Sequence, residues 1–218
     1  MAKKIGVILS GCGFQDGAEI QEAVLTLLAL DRAGAQVVCM APNIDQRRVV
    51  NHLTGDETQE KRNVLVESAR ITRGEIRDVA TVKGGELDGL ILPGGYGAAL
   101  NLSDFAIKGP ESTVHPEVSR VIREVFAAKK PIGAICIAPA VIARVLGDQH
   151  VQVTIGNDES TAKAIERCGA RHQSCATQAI VTDEKNHVVS TPAYMLGPHI
   201  RQVATGIEQC VTEVMRWA

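Results

Sequence analysis

The sequence predicts an α/β fold, a mostly parallel β-sheet with helices on both faces. Short apolar runs alternate along the chain with segments of helical periodicity, which is the pattern of βαβ units. Hydrophobic residues make up 45% of the 218 residues and charged residues 22%, a globular composition that can bury a core without disulfides. Because no repeat or linker interrupts the pattern, we expect a single domain over residues 1–218.

The predicted strands are short apolar runs, and most of them end at a turn signal. Glycine and proline follow these runs, since both residues punctuate regular structure. The last two runs are separated by the polar stretch Asp183–Asn186 and form a predicted hairpin. In chain order the strands are Lys4–Leu9, Gln36–Ala41, Gly89–Leu92, Pro131–Ile135, Val151–Ile155, Ala179–Thr182 and His187–Ser190.

The predicted helices lie between these strands and place apolar residues at helical spacing. Asp16 or Gly17 could cap the first helix, and Gly34 stops it. The stretch Asn43–Asp56 is polar and is expected to be irregular. The helices are Glu19–Ala33, Asn63–Arg73, Pro116–Lys129, Ala138–Leu146, Ser160–Cys168 and Pro198–Trp217.

Composition argues against several classes of partner. Net charge is −2 and aromatics are 3%, so neither a basic field nor base-stacking side chains suit nucleic acid. No apolar run reaches the roughly 20 residues of a membrane helix, and Ile5–Leu9 is too short for a signal-peptide core. The six cysteines are scattered, which indicates reduced thiols and predicts a cytoplasmic location.

Cys136 is the candidate nucleophile. Parallel sheets bind ligands beyond the carboxyl ends of their strands, and Cys136 follows such a strand directly. Ala134 and Ala138 are the small residues that a nucleophile elbow needs on either side, and Pro139 starts the next helix. We expect the start of this helix to lower the pKa of the cysteine. The alternative is that Cys136, like most free cysteines, only packs as a small hydrophobe.

Two further loops at the same edge of the sheet supply candidate partners. The adjacent glycines Gly94 and Gly95 could direct backbone N–H groups at a developing oxyanion, although a plain turn is the alternative. We also place Ile137 and Cys12 in the predicted substrate-binding set.

Glu19 and Glu22 lie at the start of the first helix, and either carboxyl could lean over Cys136. In an apolar pocket such an acid would have a raised pKa and could move a proton to substrate. The alternative is that these acids only complement the helix dipole.

We expect no metal and no cofactor. Cys168, His172 and Cys175 would supply three zinc ligands, not four. Gly11-x-Gly13 lacks the spacing of a dinucleotide-binding loop, since the third glycine, Gly17, comes one residue too late.

Taken together, these motifs resemble the PfpI-like branch of the class I glutamine-amidotransferase-like superfamily, which includes cysteine proteases, glyoxalases and deglycases. The segments that carry the resemblance are Ile8–Gly13, Asp16–Glu22, Arg62–Leu65, Leu92–Ala99, Asn101–Ser103, Cys136–Ala140 and Thr191–Met195.

The resemblance implies a flavodoxin-like three-layer sandwich, Cys136 as nucleophile and a homo-oligomer, expected to be a homodimer. Counting back from Ala33, the glutamate of the family matches Glu22 first and Glu19 second. One position departs from the pattern: the glyoxalase relatives carry a histidine where this chain has Gly156. Amidotransferases use a His-x-Glu after the cysteine, whereas the triplet of this chain at His115 precedes it.

The resulting hypothesis is a cofactor-free glyoxalase of the lyase type. It would convert glyoxal or a similar small aldehyde to a 2-hydroxy acid such as glycolate, through a hemithioacetal on Cys136 and proton transfer by Glu22. Repair of early glycation adducts would use the same cysteine. The alternative is a non-enzymatic protein that binds a metabolite or senses oxidants, with Cys12 as resolving partner, and nucleotide or flavin binding is a weaker third hypothesis.

Overall fold

A seven-stranded sheet forms the middle layer and confirms the predicted α/β sandwich of flavodoxin type. The computed structural model describes residues 2–197 and 199–218. Neighbouring strands are parallel, except for an antiparallel hairpin at one edge. In spatial order the strands are β10 (Val181–Asp183), β11 (Val188–Thr191), β7 (Ile132–Ile135), β6 (Gly89–Leu92), β1 (Lys4–Ile8), β2 (Gln36–Ala41) and β5 (Arg77–Asp78).

Helices cover both faces of this sheet. The helices α1, α2 and α8 belong to one apolar core, and α5 and α6 belong to the core on the opposite face. In chain order they are α1 (Ile20–Arg32), α2 (Val64–Ile71), α3 (Tyr96–Leu100), α4 (Phe105–Lys108), α5 (Pro116–Ala127), α6 (Ala138–Leu146), α7 (Glu159–Arg167) and α8 (Ile200–Trp217). Pro198, the predicted start of the last helix, lies outside the described residues.

The central strands are buried on both faces, which explains why they appear in the sequence as continuous apolar runs. Along β1, Val7 points into the core of α1 and α8, whereas Ile8 points into the core of α5 and α6. Ile91 and Leu92 of β6 divide in the same way. The alternation fixes the register of both strands, since a slip of one residue would exchange their two faces.

The start of α1 differs from the prediction. Its N-cap is Glu19, whose carboxylate accepts a hydrogen bond from the Glu22 N–H, rather than Asp16 or Gly17. Asp16 is instead buried and accepts a hydrogen bond from the Val50 N–H at 2.8 Å. The carboxylate of Asp16 is therefore committed to the loop that follows β2.

The remaining differences involve strands of two residues and the short helices α3 and α4, which are not among the predicted helices. The stretch expected to be irregular contains β3 (Val49–Val50), which pairs antiparallel with β4 (Glu57–Thr58). The predicted strand Val151–Ile155 shortens to β8 (Gln152–Val153), which pairs with β9 (Arg171–His172) outside the main sheet. Such short pairs have too few residues to show a period of two.

Strand order brings the three candidate loops together. Because β6 lies between β1 and β7, the loops that follow these parallel strands meet at one edge of the sheet. Within residues 2–197 and 199–218, none of the helices combines the length and the apolar composition that a bilayer crossing requires.

Candidate active site

Cys136 occupies a strained turn between β7 and α6. Its φ is +62°, a left-handed conformation that is rare for any residue other than glycine. The Cys136 N–H donates to the carbonyl of Thr191 at 2.9 Å, which fixes the turn to the end of β11. Strain of this kind persists where the surrounding structure imposes it, and the strand–turn–helix geometry is that of a nucleophile elbow.

Glu22 lies against Cys136, fully buried. Its Oε2 accepts a hydrogen bond from the Gly94 N–H at 2.9 Å, and its Oε1 accepts one from the Tyr194 N–H at 3.2 Å. The carboxyl also lies close to the Cys136 side chain, since a Cβ built on Gly94 would come within 2.6 Å of Glu22 Oε2 and 2.9 Å of Cys136 Sγ. Three elements, the start of α1 and the segments that follow β6 and β11, thus hold one carboxyl beside one sulfur.

The environment of Glu22 raises the pKa of its carboxyl toward neutral pH. Burial, followed by the charge of Glu19, raises the pKa of Glu22 to about 8, against the opposing effect of its hydrogen bonds. A group that titrates near physiological pH can both take and return a proton during a reaction.

Glu19 has a different position from Glu22. Its carboxylate accepts the Glu22 N–H at 2.6 Å as the cap of α1, and its side chain also lines the cavity above Cys136. Burial raises the pKa of Glu19. Of the two glutamates that the sequence left open, the structure therefore places Glu22 against the sulfur and Glu19 one turn earlier.

The predicted fall in the pKa of Cys136 is wrong. Burial raises the pKa of this thiol well above its ordinary value, and the neighbouring Glu22 carboxyl raises it further. The nearby backbone N–H groups of Gly95 and Ile137 oppose the rise in the pKa of the thiol. Desolvation outweighs these donors because the side chain is enclosed, with only 7% of the residue exposed.

Two residues of the predicted binding set have other positions. The Gly94 N–H is already occupied by Glu22, so the donors that face the sulfur are those of Gly95 and Ile137. Cys12 does not line the cavity, and its thiol lies near the charged side chains of Glu67 and Arg70. Burial and the charge of Glu67 raise the pKa of Cys12.

The histidine position of the glyoxalase relatives cannot hold a side chain without rearrangement. Gly156 has φ +94°, and a Cβ built on it would lie 2.6 Å from the Leu196 side chain. The ring of His172 contacts the residue before Gly156, since its Nε2 accepts the Ile155 N–H at 3.3 Å. Within residues 2–197 and 199–218, no three His, Cys, Asp or Glu side chains are grouped to hold a metal ion.

A cavity of about 620 Å³ opens above Cys136. Its walls come from the loop after β1, the segment of α3 and α4, the start of α7 and the segment after β11. The lining residues are Phe14, Glu19, Gly95, Tyr96, Ala99, Phe105, Ala106, Gly109, Cys136, Ile137, Ser160, Thr161, Ala164, Tyr194 and Met195.

Family membership follows from comparison with known proteins. The model of the DJ-1/PfpI family matches residues 11–190, which run from the loop after β1 into β11 and include Glu22 and Cys136. The chain belongs to the DJ-1/PfpI family.

Within this family the chain is similar to two mitochondrial proteins. It is 41% identical to the ES1 protein homolog of Rattus norvegicus over 222 residues, which covers 97% of this chain and 83% of that protein. It is 42% identical to the human glutamine amidotransferase-like class 1 domain-containing protein 3 over 226 residues, with 98% and 83% coverage.

Solved structures of the family share the fold. An isoprenoid biosynthesis protein with an amidotransferase-like domain from Ehrlichia chaffeensis superposes with a TM-score of 0.93 at 41% identity, over 99% of both chains. Drosophila melanogaster DJ-1beta superposes with a TM-score of 0.58 at 20% identity, over 99% of this chain and 97% of that one. The second likeness is one of fold alone.

The predicted cytoplasmic location is contradicted by these relatives. The curated proteins that match nearly the whole chain, including the ES1 protein of Danio rerio at 34% identity, are named as mitochondrial. The prediction rested on free thiols, which indicate reducing conditions but do not distinguish one reducing compartment from another.

Sequence reasoning missed the contribution of the segment after β11. Thr191 accepts the Cys136 N–H, and Tyr194 donates its N–H to Glu22 and lines the cavity. The motif Thr191–Met195 follows an apolar strand, as the other three site loops do, and that position is the signal that could have identified it.

Proposed function

We propose that the protein is a cofactor-free glyoxalase that converts glyoxal and related 2-oxoaldehydes to 2-hydroxy acids. The observation that carries the proposal is the position of the buried Glu22 carboxyl beside the Cys136 sulfur, at the base of an open cavity. The family includes glyoxalases, as the resemblance of the motifs implied, and this pair of groups is what such chemistry requires.

The first step joins substrate to the enzyme. The Glu22 carboxylate takes the thiol proton as the Cys136 sulfur attacks the aldehyde carbon, which overcomes the high pKa of the thiol. The new oxyanion forms beside the N–H groups of Gly95 and Ile137, which already point at the sulfur. Return of the proton from Glu22 gives a neutral hemithioacetal.

The second step moves a proton between the two carbons. Glu22 removes the proton from the carbon bound to sulfur, which gives an enediol, and delivers it to the neighbouring carbon. The hydroxyl proton passes to the neighbouring oxygen, so the product is a thioester of the 2-hydroxy acid. Water then releases the acid and restores the thiol, and the overall reaction adds one water without any oxidant.

The enclosed sulfur argues against the oxidant-sensing alternative. Redox-sensing cysteines are exposed and have a low pKa, whereas burial raises the pKa of Cys136. Cys12, the resolving partner of that hypothesis, lies outside the cavity. We therefore retain the enzymatic proposal.

Substitution of the two central groups tests the proposal. We expect Cys136→Ala to abolish conversion of glyoxal to glycolate, and Glu22→Gln to lower kcat by roughly 10²–10⁴-fold, the usual contribution of a general base. Cys175→Ala is the matched control, since this thiol is partly exposed and does not line the cavity. Glycolate production by the Cys136→Ala protein at the wild-type rate would contradict the mechanism.

A further inference from the structure

The cavity is much larger than glyoxal. Its volume of about 620 Å³ lies within the range of roughly 300–1,000 Å³ that is typical of sites for drug-sized ligands. Glyoxal has only two carbons and would fill a small part of this space. The contacts of the Cys136–Glu22 pair use only the base of the cavity, so its remaining walls need another explanation.

Aromatic side chains are concentrated in these walls. The chain has six aromatic residues, and four of them line the cavity: Phe14, Tyr96, Phe105 and Tyr194. Phe105 is part of the core and is buried, which packing alone would explain. Phe14 and Tyr96, however, are 50% and 53% exposed, so packing within the chain does not account for their place at the cavity.

The walls also lack positive charge. Among the described residues that line the cavity there is no lysine, arginine or histidine, and Glu19 contributes an acidic group. Arg48 lies nearby, with its guanidinium 5.7 Å from the centre of the Tyr96 ring, but it donates to the carbonyl of Gln15 and is outside the lining. A carboxylate or phosphate on the substrate would therefore lose hydration without gaining a cationic partner.

We propose that the preferred substrates are uncharged 2-oxoaldehydes that carry an aromatic or bulky apolar substituent. The aldehyde lies at Cys136, and the substituent packs against Phe14, Tyr96 and Phe105, whose rings offer apolar and aromatic contact. This inference rests on the proposed function. The atoms balance as for glyoxal, since one water converts the aryl 2-oxoaldehyde to the corresponding 2-hydroxy acid.

The first test compares substrates on the unaltered protein. We expect kcat/KM for phenylglyoxal to exceed that for glyoxal by about tenfold or more, since one extra methylene in an apolar pocket is worth about that much. 4-Carboxyphenylglyoxal has the same ring with an added negative charge and is expected to fall below phenylglyoxal by a similar factor. The Cys136→Ala protein supplies the blank, because phenylglyoxal also reacts with arginine side chains.

The second test fills the cavity. Ala106 lines the cavity and is exposed, so Ala106→Trp adds bulk without crowding the core. We expect it to lower kcat/KM for phenylglyoxal at least about tenfold more than for glyoxal. Ala127→Trp is the matched control, since Ala127 is also exposed on a helix and does not line this cavity.

The outcomes separate this inference from the function on which it rests. Turnover of glyoxal without preference for phenylglyoxal would overturn the inference and leave the glyoxalase proposal standing. Equal effects of Ala106→Trp on both substrates would overturn the assignment of the aromatic walls. Failure of the wild-type protein to convert either aldehyde faster than the Cys136→Ala blank would overturn both.

Discussion

The absence of a side chain at Gly94 permits the contact between acid and thiol. A Cβ built at this position would lie 2.4 Å from the Cys136 Cβ and 2.6 Å from Glu22 Oε2. Real Cβ atoms do not approach other heavy atoms so closely, and neither neighbour is free to move, since Glu22 is buried and Cys136 is fixed in its turn. Any side chain at position 94 would therefore separate the pair.

Substitution of this glycine has a predictable result. We expect Gly94→Ala to destabilise the protein by about 1–3 kcal/mol through overpacking, and to lower glyoxal turnover at least about tenfold. The matched control is Gly85→Ala, whose added Cβ meets nothing within 4 Å and which should leave activity intact. Chemical denaturation and turnover of both variants check this, and a Gly94→Ala protein with wild-type stability and activity would contradict it.

At this scale the sequence predicted which residues lie close together better than the environment of each one. The position of Cys136 between strand and helix was sufficient to select it. The direction of its pKa shift was not predictable, because the helix start and burial act in opposite directions and only the depth of the sulfur decides between them. The use of the Gly94 N–H by Glu22 also depends on a contact between distant parts of the chain.

The first turn of α1 contributes to the raised pKa of Glu22. Glu19 is the N-cap, and it stands one turn before Glu22 on the same face of the helix. Its charge is the second cause, after burial, of the raised pKa of Glu22. The start of one helix therefore couples a structural cap to the acid–base group.

This coupling predicts a shift in the pH dependence of activity. The base form of Glu22 is the carboxylate, so kcat/KM should rise as pH increases through the pKa of about 8. Glu19→Gln removes a negative charge that opposes ionisation of Glu22, and the rising limb should therefore move to lower pH. Glu75→Gln, at an exposed position, should leave it in place. A pH–rate profile in which Glu19→Gln has no effect, or moves the limb upward, would contradict the coupling.

Among the elements, those with a full period of sequence pattern were predicted well. The helices of eight residues or more and the strands of the seven-stranded sheet other than β5, including the hairpin β10–β11, all had enough residues to show periodicity or an apolar run. The two-residue strands β3, β4, β5 and β9 showed neither periodicity nor an apolar run. Their pairing depends on which segments the fold brings together. The predicted cap of α1 was wrong because the carboxylate of the buried Asp16 accepts the Val50 N–H instead.

At the scale of the whole molecule, strand order determines which of the candidate residues come together in one site. It brings three loops to one edge, and it gathers four of the six aromatic residues above one sulfur. A low aromatic content argued against base stacking, but composition does not reveal where the few aromatic residues lie. The cavity and the contribution of the segment after β11 both depend on strand order, and they were therefore not predicted.

Detection of the covalent intermediate tests the central claim most directly. Wild-type protein and the Glu22→Gln variant would be mixed with isotope-labelled glyoxal, quenched rapidly in acid and digested for peptide mass spectrometry. We expect label on the Cys136 peptide of the wild-type protein during turnover, with Cys175 as the internal control, and much less label and little glycolate when Glu22 is replaced, since Glu22 also takes the thiol proton in the first step. Release of glycolate at the full rate while Cys136 stays unlabelled would contradict the account.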